Sequence, residues 1–413
     1  MKSIYYYMLA GLTFSTTGCS SWLSEDDAPV MSYDYYETEA GVNAAITAAY
    51  GFLRWGVGGE RFDVLTEHGT DLFTEGEDGN HRESYNKYAT QLNPDDGILY
   101  EMWENHYKGI SDANIAMKKI QDSQDLLEKV KSQSYAEMQF IRAYLYFDLV
   151  QQFGRIPLVT EGSFDIRTDF KRSPVADIYN LIISDLRNAA ENLPEKVATK
   201  GRATRYSAAH LLAKVYLTRG SAINDPRGQQ TTDMDSTLYY AEKVIDSGAF
   251  TLQDNFASLW DISNQGNSEV VFAVQFTTEP MFNGDGNKQH LFWLSWYEDQ
   301  PGMLRDIANG RPYRRHVATP KTMDDLYDRL HDSRFYKSFK WVYYANNVNT
   351  LPVWEPLSYD GTVYFTPDPS KGQVDGQLKF QHGDTAIYYT MEKTGFVSNS
   401  DEMRKFRANY TPP

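Results

Sequence analysis

The chain is 413 residues long, 23% charged and 41% hydrophobic, with 28 Gly and 16 Pro. That composition is globular and excludes a disordered, collagen-like or low-complexity polymer; at about 150 residues per domain the length allows two or three units. Lys and Arg total 40 against 56 Asp and Glu, a net charge of −16; such a surface repels phosphate backbones and argues against nucleic acid as a partner.

The first elements are addressing signals. Met1 and Lys2 give a positive start, Ile4 to Phe14 is largely apolar, and Thr16-Thr17-Gly18-Cys19 closes the segment. The apolar stretch is too short to span a bilayer and fits a signal peptide over residues 1–18. Cys19 is the single cysteine, so no internal disulfide forms. A Gly-Cys pair ending such a core resembles the bacterial lipobox, which makes Cys19 the expected lipidation site, although Thr16 stands where Leu is usual. An ordinary signal peptide with an incidental cysteine is the other reading. Residues 19–36, with Ser24-Glu25-Asp26-Asp27, read as an acidic tether.

From residue 37 to about 250 the pattern is helical. Val42, Ile46, Ala49 and Leu53 stripe Thr38 to Arg54, and Trp103, Tyr107, Ile110, Asn114 and Met117 stripe Tyr100 to Ile120. Ala136 to Phe153 carries Met138, Ile141, Leu145 and Leu149 and is stopped by Gly154 and Pro157. Ser173-Pro174 opens the next helix, which runs to Leu193-Pro194; Thr204 to Arg219 and Asp235 to Ser247 follow. Small residues among large apolar ones, as in Ala143-Tyr144-Leu145-Tyr146 and Ala213-Lys214-Val215-Tyr216, let neighbouring helices stack in pairs as in tetratricopeptide-type arrays.

Residues 251–413 change character. Glu269 to Val274 reads as a strand and Thr322 to Arg329 as a modest helix, within a region rich in Gly, Asn, Asp and aromatics. The chain carries 30 Tyr and 8 Trp, rings that combine a flat apolar face with a polar handle. His290, Phe292, Trp293, Trp296 and Tyr297 concentrate them within eight residues. An earlier acidic loop, Glu75 to Arg82, is flanked by Phe73, His81 and Tyr85. Asp71, Arg82, Asn283 and Asp285 are the polar groups expected beside them. Flat rings next to such groups suit a glycan, whose C–H faces lie on aromatics and whose hydroxyls need hydrogen-bond partners. The alternative is that each ring simply packs the loops onto the helices.

Several stretches taken together resemble the SusD/RagB family of outer-membrane nutrient-binding lipoproteins. They are Trp103, Tyr107, Ile110 and Asn114; Glu137, Phe140, Arg142 and Ala143; Phe153-Gly154-Arg155-Ile156-Pro157; Asp185-Leu186; Gly201-Arg202-Ala203-Thr204; Leu211 to Leu217; and Glu269 to Phe272. The resemblance implies a mainly α fold, a divergent tetratricopeptide-like helical array with an irregular loop-rich half carrying short strands. It makes residues 37–413 one domain, helical over 37–250 and ligand-facing over 251–413. It also implies an oligosaccharide or polysaccharide ligand, a SusC-like TonB-dependent transporter as partner, and a lipid anchor at the cell surface in the outer membrane. Family members continue into a further helix pair that this sequence, ending at Pro413, lacks; an apolar helix face is expected to be left uncovered.

Enzymatic signatures are missing: no G-x-S-x-G, H-E-x-x-H or phosphate-binding Gly-rich loop occurs. The eight His have no metal-ligand spacing, and His210 reads as a packed helix residue. Asn283, Asp285 and Asn287 hint at a calcium loop, but Lys288 occupies the glycine position and the closing Glu is absent. No cofactor, metal or catalytic residue is therefore expected. Arg305, Arg311, Arg314 and Arg315 form a basic cluster, read as a salt-bridged face or an acidic-sugar contact. The expected function is capture of a glycan without cleavage, handed to the transporter. A surface glycosidase and a protein-docking lipoprotein are the alternatives.

Overall fold

The computed structural model describes residues 38–351, apart from 77, 90, 164–166, 223–226, 280–283, 285, 295–296, 320, 329–330 and 341, together with strand segments within 357–388. Cys19, the tether and the chain end lie outside the described residues, as do Trp296, Asn283 and Asp285.

All six expected long helices form. They are α1 (Glu39–Gly51), α3 (Gly97–Asp122), α4 (Glu128–Phe153), α5 (Val175–Asn192), α6 (Arg205–Gly220) and α7 (Asp233–Ile245); a shorter α2 (Glu60–Thr66) follows α1. Local chemistry sets their ends. Thr38 caps α1 through Gly41 N, and Asp96 caps α3 through Ile98 N, which starts that helix three residues before the apolar stripe announces it. Thr204 and Ser207 make a reciprocal capping box on α6. Gly154, at φ 66°, closes α4 in the left-handed region that glycine enters without penalty.

From α3 to α7 each helix packs on the next, and α1 lies across α3 and α4. This nearest-neighbour stacking is the solenoid logic of a tetratricopeptide-like array. One apolar core runs through α1 and α3–α6, with Tyr146, Tyr179, Tyr216, Phe140 and Ile110 fully buried. Burying α4 on nearly every face explains why it carries buried polar residues as well: they bond across the helices. Arg142 forks onto both Asp185 oxygens at 2.8 Å and reaches Asn114 Oδ1 at 2.7 Å. Arg202 pairs with Glu137, which also accepts from Tyr50 Oη at 2.7 Å. The polar residues that carried the family resemblance are thus the glue of the array.

The irregular half contains two further expected elements, and both differ. Glu269 to Val274 begins in a turn and forms no strand among the described residues. Phe272 and Val274 turn into the helical core, with Phe272 edge-on to Phe140 at 5.2 Å, while Val271 O accepts from Ser207 Oγ. The apolar run is thus used, but against a helix layer and not in a sheet. In place of a helix from Thr322 to Arg329 there is a single wide turn, Lys321–Asp325, held by Thr322 bonding Leu72 O and Thr319. Short paired strands do occur: β1 (Phe73–Glu75) with β2 (His316–Ala318), β3 (Val342–Tyr344) with β8 (Thr385–Tyr388), β4 (Leu357–Tyr359) with β5 (Thr362–Phe365), and β6 (Gln373–Val374) with β7 (Gln377–Leu378), all antiparallel. On α7 only Asp233 and Val244 are buried, and Leu238, Tyr239 and Ile245 face outward.

Candidate functional site

The β1–β2 ribbon brings two distant aromatic segments together. Phe73 pairs with Ala318, Thr74 with Val317 and Glu75 with His316. The loop carrying β1 is organised by Asn86, whose Oδ1 accepts from Gly69 N, Thr74 Oγ1 and Glu75 N at 3.0–3.1 Å. Glu75 is buried and accepts from His81 N. Gly76 lies so close to the backbone of Arg314 and Arg315 that a Cβ would strike it, and Gly76 N bonds Arg315 O at 2.8 Å.

From the other side, Gln289–Phe292 forms one helical turn and Trp293 caps it. Trp293 Nε1 donates to Gln289 Oε1 at 2.8 Å. The Trp293 ring meets Phe73 edge-on at 4.8 Å and His316 at 4.7 Å, yet 36% of the residue is open to solvent. His290 and Asp71 are exposed, and His81 is half-buried with its ring 6.2 Å from Tyr85.

The remaining expected site residues are placed inside. Phe292 is buried against Tyr313 and His316. Tyr297, 1% exposed, stacks on Tyr343 at 5.1 Å and donates its hydroxyl to Gly310 O. Tyr85 is buried beside Val64 and Ile98 and donates to Asp96 Oδ1 at 2.7 Å; burial and that carboxylate push its phenol pKa up. These three offer no ring face to a ligand and act as supports. Arg82 belongs to the turn Arg82–Asn86. Three of the four arginines meet carboxylates: Arg314 and Arg305 share Glu298 at 2.9 and 3.0 Å, and Arg315 faces Glu60 at 3.4 Å, whereas Arg311 lies over the Tyr313 ring.

Sequence reasoning missed what lies beneath the platform. His68 Nε2 and His316 Nδ1 are 2.7 Å apart and both residues are buried. One proton must sit between the two nitrogens, since two imidazoliums would oppose N–H to N–H. His316 Nε2 is 3.3 Å from Asp63 Oδ2. Burial, then the neighbouring His316 and His81, drives the His68 pKa down to about 3. Burial and Asp63 push the Glu67 carboxyl up. The pair is separated by 248 residues, and neither histidine sits in a recognisable motif. Among the described residues no cluster of His, Cys, Asp and Glu is placed to hold a metal ion, and no helix is long and apolar enough to cross a membrane.

The arrangement is a half-exposed aromatic platform, Trp293 on Phe73, rimmed by exposed polar groups and locked from below by hydrogen bonds. It can stack a flat apolar face and bond its hydroxyls. Residues 25–217 match a family model described as SusD-like, starch-binding associating with outer membrane. SusD-like protein P2 of Formosa agariphila is 27% identical over 338 residues, 75% of this chain and 63% of that protein. SusD-like protein P25 of the same organism is 25% identical over 293 residues, 68% of this chain and 52% of that protein. The chain thus matches less than two thirds of the length of these curated relatives. A solved laminarin-binding SusD-like protein superposes with a TM-score of 0.60 at 24% identity, over 74% of this chain and 66% of that one, and so shares the fold.

Proposed function

We propose, on the premise that this chain belongs to the SusD/RagB family, that it is an outer-membrane-associated protein that captures an oligosaccharide without cleaving it. The observation that carries this reading is the Trp293 ring, fixed by Gln289, Phe73 and His316 yet open on one side. A ring held in place in advance loses little freedom when a sugar stacks on it. Phe73 forms the second wall, and Asp71, His81 and His290 supply hydrogen bonds at the rim; Tyr85, Phe292 and Tyr297 hold the loops from beneath. Cys19 carries the lipid anchor, and the captured glycan passes to a SusC-like TonB-dependent barrel. The laminarin binding named for one structural neighbour supports a β-glucan as the first ligand to test.

The decisive experiment is calorimetric titration of the protein and its Trp293→Ala variant with laminarin oligosaccharides, xylogluco-oligosaccharides and malto-oligosaccharides. A stacking contact of about 1–2 kcal/mol predicts a loss of about five- to thirtyfold in affinity, with the melting temperature retained. Unchanged affinity in the folded variant removes Trp293 from the site. New reducing ends during incubation would refute capture without cleavage.

A further inference from the structure

A second concave site lies on the helical array, between α5 and α6. It is a depression of about 370 Å³ lined by Asn180, Ser184, Arg187, Tyr216, Arg219 and Gln230. Tyr216 sits at its base. The residue is 1% exposed, its ring stacks on Tyr240 with an interplanar angle of 9°, and its hydroxyl has no hydrogen-bond partner among the described residues. A buried hydroxyl left unpaired calls for an external partner, because folded proteins otherwise satisfy such groups.

Two guanidiniums lie over the Tyr216 ring, Arg219 at 5.4 Å and Arg187 at 5.7 Å. They differ in charge balance. Arg219 is buried and forks onto Asp233, at 2.6 and 3.1 Å, so its charge is spent. Arg187 is exposed and, among the described residues, faces no carboxylate within ion-pair distance. An uncompensated guanidinium here stands beside an unpaired hydroxyl, a serine and two amides. A guanidinium presents a planar fork of donors that matches a carboxylate or sulfate in bidentate fashion. Neutral sugar would use the amides and the serine but leave the Arg187 charge unanswered.

We propose that this depression binds an anionic oxygen group, the carboxylate or sulfate of an acidic sugar residue, with Arg187 as the charge partner and Tyr216 Oη as a donor at its floor. The anion chemistry follows from these residues alone. That a sugar carries it rests on the glycan-binding reading above. The site shares no residue with the Trp293 platform and therefore serves as a separate contact along a charged glycan.

The test titrates the full chain with glucuronate, glucose 6-sulfate, glucose and inorganic sulfate, using saturation-transfer NMR and thermal shift. Wild type is expected to respond more strongly to glucuronate and glucose 6-sulfate than to glucose. Arg187→Met should weaken both responses at least about tenfold, as loss of a charge-assisted fork implies. Tyr216→Phe should weaken them while leaving the ligand-free melting temperature equal or higher, since it deletes an unpaired group. Run in the Trp293→Ala background, which removes the platform's contribution, the titrations should keep the preference for the acidic sugars over glucose, which separates this site from the platform. Equal binding by Arg187→Met, or no response of the wild type to either acidic sugar, overturns the proposal. A response to inorganic sulfate alone overturns its sugar identity, whatever the platform does with neutral glycans.

Discussion

Lowering the pH from 7 to 5 tests the imidazole pair beneath the platform. His68 is 4% exposed, and its pKa falls from the ordinary 6.5 to about 3 in the folded chain. Between those values the unfolded chain takes up a proton that the folded chain refuses. Stability is therefore full above the unfolded value, falls as the pH drops through the window, and is lost to its full extent below about 3. At pH 5 this one group costs about 2 kcal/mol, and by pH 3 about 4 kcal/mol. His68→Gln retains an amide donor toward His316 Nδ1 but cannot titrate. Urea unfolding followed by tryptophan fluorescence at pH 7, 6 and 5 supplies the comparison. The wild type should lose about 2 kcal/mol more than the variant over that span, which cancels the titration of the other acidic groups. Parallel pH dependences for the two proteins would refute a neutral, buried His68.

The remaining predictions concern the scaffold and the loop that holds Phe73. Arg142→Met strands Asp185 inside the core and should cost about 3–5 kcal/mol, whereas Arg142→Met with Asp185→Leu should recover most of it; a double-mutant cycle in urea measures both. If the double variant is no more stable than Arg142→Met, the desolvation account fails. Asn86→Ala leaves three donors without their shared acceptor and should destabilise by about 1–3 kcal/mol. It should also weaken glycan binding through Phe73, although Asn86 does not touch the platform rings; retained affinity in calorimetry would show that the loop does not depend on it.

The helical half was legible because its signals are local. A stripe of apolar residues at helical spacing, a capping threonine and a stopping glycine all lie within a few residues of the structure they dictate, so α1 and α3–α7 emerge from the chain itself. The buried partners Arg142, Asp185, Glu137 and Arg202 were visible as motif residues, but their ion pairs were not, since each bridges separate helices. The site was legible only in part. Aromatic density located the region, and Phe73 and Trp293 do come together. Periodicity cannot tell a ring that packs from a ring that waits for a ligand, and Phe292, Tyr297 and Tyr85 prove to be packed. The ribbon of two three-residue strands leaves no period to detect, and the His68–His316 contact joins the two ends of the described chain. At Glu269 to Val274 the short apolar run promised a strand, and the helix layer took Phe272 and Val274 instead.

The division between the array and the platform has an evolutionary consequence. Arg142, Asp185, Asn114, Glu137 and Arg202 are tied to one another, so each can change only with its partner, at a cost felt by the whole fold. Trp293 and Phe73 are tied to the array only through short loops and one small ribbon, and their outer faces answer to the ligand alone. The loops can therefore be rewritten at little cost to the array, while the helices hold their paired residues fixed. Overall sequence identity between two such proteins then measures shared ancestry of the scaffold. On the proposed function, ligand choice then rests on a few side chains around Trp293 and not on the scaffold.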